Sequence, residues 1–583
     1  MLCVLALAVS PVAVGATTHT ASTRVSVYPT AGTTTADPHS QISFRGVPKR
    51  KLRHIRVVGT HSGKHSGHLA AHSDGRGASF LLDRPLAPAE TVTVRANQPL
   101  IGAGRDGAVV FKTSAPVKGF SFEAPDDAGG VPDRSQHFHT EPSLLPPSIS
   151  VLSGHAGGSA DIFTSPKIQK GQDGAMIADP DGRLVWFHRA PPGMSIYDFR
   201  AETYLGKPVL TWWQGRVLHG KGIGQGVIWD PSYRRIARVR TANGYRNDLH
   251  EFKLTPQGTA LITVDAPVTY DLRPVGGPKH GAVYDSAVQE IDVKTGLVVF
   301  EWHSIGQLPF TDSDARYKRH GALYDPFHIN SIDQEPNGNL LVSARNSSAV
   351  YELSHHTGKI RWRLGGKRSS FEMGPGSRFV GQHDARRNAD GTITIFDNGA
   401  GIKAQGYRPG RGIVLGADIR NRRVTLLHAL ARGHPTVATS QGNVQRLPNG
   451  HYFVGWGGSS PFLSEFDQGG SLIFDAAFDP VANNSYRAYR FPWHGRPAYP
   501  PAVAAQRSNG GTNVWASWNG ATDVARWQVL GGATPGALGP VGLAPRSGFE
   551  TAISAPGGLN YVAVRAQDAT GGTLGTSPTV AVK

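Results

Sequence analysis

Three histidines of this chain, His250, His328 and His383, occupy related positions in three consecutive sequence units. His250 and His383 each lie eight residues before the glycine of a polar turn. In the unit between them the eighth position is Asn330, and His328 lies two residues earlier. Alternate residues of a strand point to the same face, so His328 and Asn330 can face the same way. The pattern predicts that the three histidines converge on one site.

Histidines grouped in this way can support two kinds of chemistry. Three imidazoles can bind a metal ion, or one can act as a nucleophile or base while its neighbours hold its tautomer and charge. Arg345 ends the strand after His328, where it can give bidentate donors to a tetrahedral anion such as sulfate or phosphate. No pair of carboxylates shares the register of the histidines. The combination favours transfer of an anionic group over glycoside hydrolysis.

The histidines lie in a region of repeats, residues 151–496. One phrase, a turn followed by an apolar strand, occurs six times, as in "KTGLVVFEWH" and "HTGKIRWRLG". A second phrase, a glycine turn and an apolar strand, alternates with it, as in "PNGNLLVSAR". Radial repetition of four-stranded sheets forms a β-propeller, so these units predict a propeller of six blades. The first strand of a blade lines the central channel, and we expect the histidines at one mouth of it.

Two segments of different composition flank the repeats. Residues 24–115 contain short β-like segments and a proline-rich turn that leads into an alternating strand, which predicts an immunoglobulin-like β-sandwich. A proline-rich connector, 116–150, follows. Residues 497–583 are rich in Gly, Ala and Thr and predict a second sandwich, similar to fibronectin type III modules. The predicted fold is all-β, with a six-bladed propeller between two sandwiches.

The N-terminal residues 1–16 predict an exported protein. They are apolar and end in small residues, as a signal peptide does. The basic segment that usually precedes such a run is missing, which leaves open a start further upstream. The single cysteine, Cys3, lies in this segment, so the mature protein is expected to contain no disulfide. No apolar run is long enough to span a bilayer, and we expect a secreted or cell-envelope location.

The net charge of +17 makes nucleic acids, acidic polysaccharides and small anionic substrates candidate partners. The basic residues are scattered, however, and the densest run, residues 47–56, is too short to define a binding surface. We therefore expect no nucleic-acid partner and interpret the charge as a basic, solvated exterior.

The ordered set of motifs resembles the arylsulfotransferase family, in particular its actinobacterial branch. The segments that carry the resemblance lie in residues 140–496 and are "HEFKLTPQGTALIT", "DPFHINSIDQEPNGNLLVSAR", "TGKIRWRLGG", "QHDARRNADGTITIFDNGAG" and "VGWGGSSPFLSEFD". The resemblance implies a six-bladed propeller that moves a sulfuryl group from a phenolic sulfate ester to a phenolic acceptor. It also implies a sulfohistidine intermediate, no nucleotide donor and no cofactor.

The resemblance implies roles for individual residues of this chain. His383 matches the histidine that becomes sulfated, and His250 and His328 match the two histidines that flank it. Asn330 matches the adjacent amide and Arg345 the sulfate-binding arginine, and no residue is implied as a metal ligand. This chain departs from the periplasmic members in two ways, because it lacks their disulfide and carries a C-terminal segment that they lack.

Two other classes of function remain open from the residues alone. One is a metal enzyme, because a propeller with several axial histidines can hold iron, and such enzymes cleave carbon double bonds. The other is a non-catalytic, ligand-binding propeller at the cell surface, flanked by adhesive sandwiches. Metal analysis of the purified protein separates the first from sulfuryl transfer, and labelling of a histidine by an aryl sulfate separates the second.

Overall fold

A computed structural model describes residues 24–117, 135–167, 172–218, 220–319, 323–400, 408–458, 460–479 and 483–583. The predicted signal segment, 1–16, and part of the predicted connector lie outside the described residues. Within the described ranges the chain is all-β, which confirms the predicted fold class at that level. Four short 3-10 helices interrupt the strands there and span Lys49–Lys51, Arg273–Val275, Phe310–Asp312 and Arg345–Ser347.

The first nine strands form two sheets and one short extension. They are β1 (Ser26–Tyr28), β2 (Ile42–Arg45), β3 (Arg56–Gly59), β4 (Gly63–His65), β5 (Gly67–Ala71), β6 (Gly77–Leu82), β7 (Thr91–Arg95), β8 (Val109–Lys112) and β9 (Ala115–Pro116). The sheets have the orders β1-β2-β6-β5 and β4-β3-β7-β8. Alternate apolar residues of both sheets share one core, so the two sheets, called here the N-terminal sheet pair, pack on each other.

The central region contains 26 strands among the described residues. They are β10 (Ser148–Gly154), β11 (Asp161–Lys167), β12 (Gly174–Ala178), β13 (Leu184–Arg189), β14 (Ser195–Tyr204), β15 (Lys207–Leu218), β16 (Lys221–Trp229), β17 (Arg235–Val239), β18 (Asn247–Leu254), β19 (Thr259–Tyr270), β20 (Gly281–Asp292), β21 (Val298–His303), β22 (Ile329–Gln334), β23 (Leu340–Ala344), β24 (Ala349–Leu353), β25 (Ile360–Gly365), β26 (Glu372–Met373), β27 (His383–Arg387), β28 (Ile393–Asp397), β29 (Arg411–Asp418), β30 (Arg423–Leu430), β31 (Asn443–Arg446), β32 (Tyr452–Gly455), β33 (Phe462–Phe466), β34 (Leu472–Asp479) and β35 (Asn484–Phe491).

Most of these strands form groups of four that pair in antiparallel order. Five groups are consecutive in the chain: β14–β17, β18–β21, β22–β25, β27–β30 and β31–β34. The sixth has the order β35-β11-β12-β13, so the last strand of the region pairs with one of its first. The first strands of the groups, β14, β18, β22, β27, β31 and β35, are called here the inner strands. Each contacts the next in this order, and β35 also contacts β14.

The turn glycines used to align the sequence units are structural landmarks. Gly258, Gly338, Gly391 and Gly450 have φ angles of 79°, 80°, 84° and 85°, in the left-handed region where a Cβ is unfavourable. The six copies of the first phrase end in β13, β17, β21, β25, β30 and β34, which are the fourth strands counted from the inner strand of each group. The strand content of the repeats therefore follows the prediction. The six-bladed closure and the immunoglobulin-like flanks stay predictions.

One arginine of β35 ties the inner strands together. Arg487 is fully buried, and its guanidinium contacts Asp198 of β14 at 2.8 Å, Glu251 of β18 at 3.2 Å and Asp384 of β27 at 3.1 Å. It also donates a hydrogen bond to the carbonyl oxygen of Asn330 at 2.7 Å. Buried charges persist only when opposite charges and hydrogen bonds compensate them. The cluster therefore fixes the strands that carry the histidines relative to one another.

The last eight strands form two further sheets. They are β36 (Ala502–Ser508), β37 (Gly511–Ser517), β38 (Arg526–Gly532), β39 (Gly539–Pro545), β40 (Glu550–Ala555), β41 (Tyr561–Gln567), β42 (Thr573–Thr576) and β43 (Val580–Ala581). The orders are β36-β37-β40 and β39-β38-β41-β42, with β43 also paired to β41, and the sheets share one core. No helix within the described residues has the length and apolar character that crossing a bilayer requires.

Candidate active site

Two of the predicted histidines are in direct contact. The ring centroids of His250 and His328 lie 4.6 Å apart in an edge-to-face arrangement. His250 belongs to β18, and His328 directly precedes β22 of the next group. The Nδ1 atom of His250 donates to the carboxylate of Asp248, which orients the ring and leaves Nε2 as its exchangeable position. The ring of Tyr486 of β35 packs against the ring of His250, with the two centroids 6.0 Å apart.

The third histidine, His383, begins β27 and is buried. Its Nδ1 lies 2.7 Å from Oδ1 of Asn398. The amide nitrogen of Asn398 donates to the carbonyl oxygens of Ala438 at 3.1 Å and Gln441 at 2.9 Å. These two bonds fix the orientation of the amide, so its oxygen can only accept and Nδ1 of His383 must carry the proton. Neutral His383 therefore has its lone pair on Nε2.

The electrostatic surroundings keep His383 neutral. Its pKa lies well below the ordinary value, because burial disfavours the imidazolium and the charge of Arg345 repels it. The bond to Asn398 acts in the opposite direction, and His250 and His328 add smaller repulsions. Arg345, His250 and His328 therefore all lie within electrostatic reach of His383. A neutral imidazole is the nucleophilic form of the side chain.

Arg345 is placed by its pairing with the histidine segment. Its backbone N–H donates to the carbonyl oxygen of His328 at 3.0 Å, and it begins the 3-10 helix that follows β23. Its guanidinium donates to Oδ1 of Asn346 at 2.8 Å and to the carbonyl of Thr439 at 3.3 Å. These bonds hold the planar, permanently charged fork beside His383.

Asn330 is fully buried one strand away from His383. Its amide nitrogen donates to the carbonyl oxygen of Gln382, the neighbour of His383, at 2.7 Å. Among the described residues its Oδ1 atom has no hydrogen-bond partner. A buried amide oxygen without a partner is costly, so Asn330 both braces the His383 segment and offers an acceptor to a bound group.

A lysine and two carboxylates extend the site on the other side of His328. The Nζ atom of Lys221 lies 2.7 Å from Asp265, 2.8 Å from Asp325 and 3.0 Å from Nδ1 of His328. Asp325 is itself 2.6 Å from Nδ1 of His328. Burial opposes the charged form of Lys221, but the attraction of Asp265 and Asp325 outweighs it and raises the lysine pKa. Lys221 is therefore a resident cation of the site.

The same lysine affects the protonation of His328. Burial lowers the pKa of His328 to about 3, and repulsion by Lys221 acts in the same direction while Asp325 opposes it. His328 is thus neutral near neutral pH. Of the two flanking histidines, His250 has Nδ1 paired with Asp248, whereas Nδ1 of His328 lies between Asp325 and Lys221.

Backbone strain explains why His328 departs from the eight-residue spacing. His328 has a φ of 55°, and the pairing of β22 with β23 shifts register just after it. The inner strands β14, β18 and β27 have comparable register shifts near their first residues. Such bulges redirect side chains at the end of a strand. A strained residue at this place is consistent with a functional site.

The donor atoms do not form a three-histidine metal site. Within the described part of the chain, the group of three possible metal donors whose atoms lie within 4.8 Å of one another consists of Asp248, His250 and Asp265. The ammonium of Lys221 already pairs with Asp265 in that group. Coordination by three histidines requires ring nitrogens that converge on one point, and His250, His328 and His383 are not such a group.

The register of the histidines did not reveal Asn398, Lys221 or the carboxylates of the site, which are Asp248, Asp265 and Asp325. Asn398 follows β28, the partner strand of His383, within the motif "FDNGAG". Asp248 lies two residues before His250, a signal that was available in "NDLHEF". Lys221 begins β16, two groups of strands before His328, so only the tertiary fold places it beside His328.

Comparisons with known proteins bear on the same residues. The family model described as Arylsulfotransferase (ASST) matches residues 200–479, which include every predicted site residue. Curated proteins give no match. Similar solved structures include a protein of unknown function from Bacteroides caccae, 14% identical, with a TM-score of 0.35 over 59% of this chain and 99% of that chain. Another, a protein of unknown function from Dyadobacter fermentans, is 11% identical, with a TM-score of 0.32 over 64% of this chain and 95% of that chain.

An auxiliary nutrient binding protein from Bacteroides ovatus is 12% identical, with a TM-score of 0.28 over 79% of this chain and 98% of that chain. Scores this low carry no argument about function, so the family match stands on its own. The match and the quoted motifs cover the same segment of sequence. Residues 200–479, just under half of the chain, match the arylsulfotransferase family.

Proposed function

We propose that this protein is an aryl sulfotransferase that passes a sulfuryl group from a phenolic sulfate ester to a phenolic acceptor through a covalent intermediate on His383. The family match supports sulfuryl transfer and phenolic substrates. The observation that carries the covalent step is the bond between Nδ1 of His383 and Asn398, which leaves Nε2 unprotonated. The apolar segment 1–16 supports export from the cytoplasm.

The proposed scaffold is a six-bladed propeller over residues 151–496. Contacts between successive inner strands, the pairing of β35 with β11 and the Arg487 cluster support a closed ring. The sheet pairs within residues 24–115 and 497–583 support two flanking sandwiches of immunoglobulin type. In a closed ring the histidines would stand at one end of the axis, where a substrate can enter.

In the first half-reaction, Nε2 of His383 attacks the sulfur of the aryl sulfate. The Nε2–S bond forms and the bond from sulfur to the phenolic oxygen breaks. The leaving phenolate has a conjugate acid with a pKa of about 10, and His250 gives it a proton from Nε2 while the bond from Nδ1 to Asp248 holds the ring in place. The proton on Nδ1 of His383 stays hydrogen-bonded to Asn398, so the sulfated ring is a cation joined to an anionic sulfuryl group.

In the second half-reaction, an acceptor phenol replaces the first product. Its hydroxyl gives a proton to neutral His250 while its oxygen attacks sulfur. The Nε2–S bond breaks, and the electron pair returns to Nε2 of His383. Arg345 stabilises the sulfuryl oxygens in both steps. The scheme predicts ping-pong kinetics, tested by varying 4-nitrophenyl sulfate at several fixed concentrations of phenol. Intersecting rather than parallel reciprocal plots would contradict it.

Arg345→Lys is expected to keep the fold and impair transfer. A compact ammonium replaces a planar fork, and loss of one charge-assisted contact in the transition state costs about 2–4 kcal/mol. The measurement is kcat/KM for 4-nitrophenyl sulfate. The matched control is Arg238→Lys, because Arg238 is exposed on β17. Equal values of kcat/KM for the Arg345 variant and the unsubstituted protein would remove Arg345 from the site.

Asn398→Asp is expected to change the pH dependence. A carboxylate at Nδ1 favours the imidazolium, so it raises the pKa of His383 from its depressed position. His383 of the unsubstituted protein stays neutral as the pH falls below neutrality. In the variant His383 gains a proton sooner, so activity is lost at a higher pH than in the unsubstituted protein. The measurement is the acid limb of the kcat/KM profile. Asn421→Asp is the control, because Asn421 is exposed. An acid limb of Asn398→Asp at the same pH as that of the unsubstituted protein would show that Asn398 does not set the charge of His383.

A further inference from the structure

A cavity of about 210 Å³ lies beside the histidines, outside the residues used in the mechanism so far. Pro116 and Val117, which follow the N-terminal sheet pair, form one wall. Ile223 of β16 and Val268 of β19 also line the cavity, so apolar side chains come from both the N-terminal and the central strands. The cavity therefore lies between the N-terminal sheet pair and two groups of central strands.

The floor of the cavity is polar and touches the candidate active site. Lys221 and Asp265 line it and lie 2.7 Å apart. The same lysine is 3.0 Å from Nδ1 of His328, so one side chain separates the cavity from the histidine pair. The ring of Tyr284 also lines the cavity, with its centroid 5.0 Å from Nζ of Lys221. Apolar walls over a small polar floor are the usual form of a site for a small organic ligand.

The wall from the N-terminal sheet pair is firmly attached. β9 pairs with β19 through Pro116 and Val268. Away from that strand pair, the backbone N–H of Asp37 donates to the hydroxyl oxygen of Tyr245 at 2.8 Å. A Cβ at Gly244 would lie 2.7 Å from Oδ1 of Asp37, so the two surfaces approach as closely as a glycine allows. The cavity is thus a built feature and not a gap between loosely associated parts.

We propose that this cavity is an aryl subsite that takes a single-ring phenol, with the ring between the apolar walls and the hydroxyl on the Lys221–Asp265 pair. The inference rests on the proposed function and locates its phenolic substrate. A dry cavity of about 150 Å³ can hold a benzene molecule, so this volume admits one substituted ring and excludes fused rings. Lys221 donates to the phenol oxygen, and the hydroxyl proton is left for His250, which has a ring nitrogen within 4.8 Å of the Asp265 carboxylate.

The position of Lys221 gives the subsite a second consequence. A phenol held there has its oxygen next to the lysine that contacts His328, and His328 contacts His250. The N-terminal sheet pair would then contribute directly to substrate selection. Specificity for small or large phenols should follow the residues on the cavity walls, and not the residues around His383.

Binding of 4-nitrophenol to the His383→Ala protein tests the subsite without any catalysis. Calorimetry should detect saturable binding to this full-length protein, and weaker binding of the two-ring phenol 1-naphthol. Adding Ile223→Trp fills the cavity and should weaken 4-nitrophenol binding by about tenfold or more. Val117→Trp should also fill the cavity, from its N-terminal side, and weaken 4-nitrophenol binding. Ile236→Trp is the control, because Ile236 is exposed on β17.

The outcomes separate this inference from the proposed function. No saturable binding, or equal binding by folded Ile223→Trp and Val117→Trp variants, overturns the aryl subsite even if His383 is sulfated. Loss of binding in both variants supports the subsite, even if no sulfuryl transfer is detected. A circular dichroism spectrum for each variant checks that the fold is retained. The two substitutions fill the cavity from different positions, so each is a separate test.

Discussion

Replacing His383 with alanine is expected to abolish sulfuryl transfer from every aryl sulfate. In the proposed mechanism Nε2 of His383 forms the only bond that carries the sulfuryl group between donor and acceptor. Loss of a catalytic nucleophile costs roughly 10⁶-fold in kcat. Phenol release, followed by absorbance of 4-nitrophenolate, should fall to the rate without enzyme.

The matched control for this substitution is His356→Ala. His356 is exposed and distant from the site in sequence, so the variant should keep full activity. Because His383 is buried, the thermal unfolding of the His383→Ala protein must also be compared with that of the unsubstituted protein. A folded His383→Ala protein that still transfers sulfate at a substantial rate would contradict the covalent mechanism.

Replacing His250 with glutamine is expected to slow transfer in a way that depends on the leaving group. General acid catalysis contributes about 10²–10⁴-fold, and the contribution is largest when the departing phenolate is most basic. Turnover of phenyl sulfate should therefore fall much more than turnover of 4-nitrophenyl sulfate. The buried Asp248 carboxylate keeps a hydrogen-bond donor in the glutamine variant, which limits the effect on the fold.

The measurement is kcat/KM for both esters in both proteins. Sulfation of His383 by 4-nitrophenyl sulfate should still occur in the variant, because the activated leaving group departs without help. An equal loss for the two esters would mean that His250 only holds the structure and does not transfer the proton. A selective effect in His328→Gln instead would assign the proton to His328, against the depressed pKa of that residue.

The repeats could be predicted from the sequence because each depends on local chemistry. A turn that requires a positive φ selects glycine, as at Gly258 and Gly391, and apolar strands on either side repeat with it. The spacing from the glycine then places His250 and His383 at equivalent positions. The pairing of β35 with β11 joins residues about as far apart as the central region allows. Such a contact depends on how all the intervening strands are arranged, so no local sequence pattern predicts it.

The candidate site was predicted only where its residues share the repeat. His328 was placed two residues out of register, and its φ of 55° shows that the backbone leaves the strand alternation there. Lys221 and Asp265 belong to strands other than the inner ones that the alignment followed, and three-dimensional packing brings them to His328. Asn398 was missed because its role depends on which carbonyls its amide meets, at Ala438 and Gln441.

The central claim of the account is that His383 carries the sulfuryl group on Nε2. The most direct measurement is peptide mass spectrometry of the protein after a brief incubation with 4-nitrophenyl sulfate in the absence of an acceptor. The account predicts the mass gain of one sulfuryl group on the peptide that contains His383, its loss when phenol is added, and fragmentation that places it on that histidine. An unmodified His383 peptide during active turnover, together with loss of activity on adding a metal chelator, would contradict it.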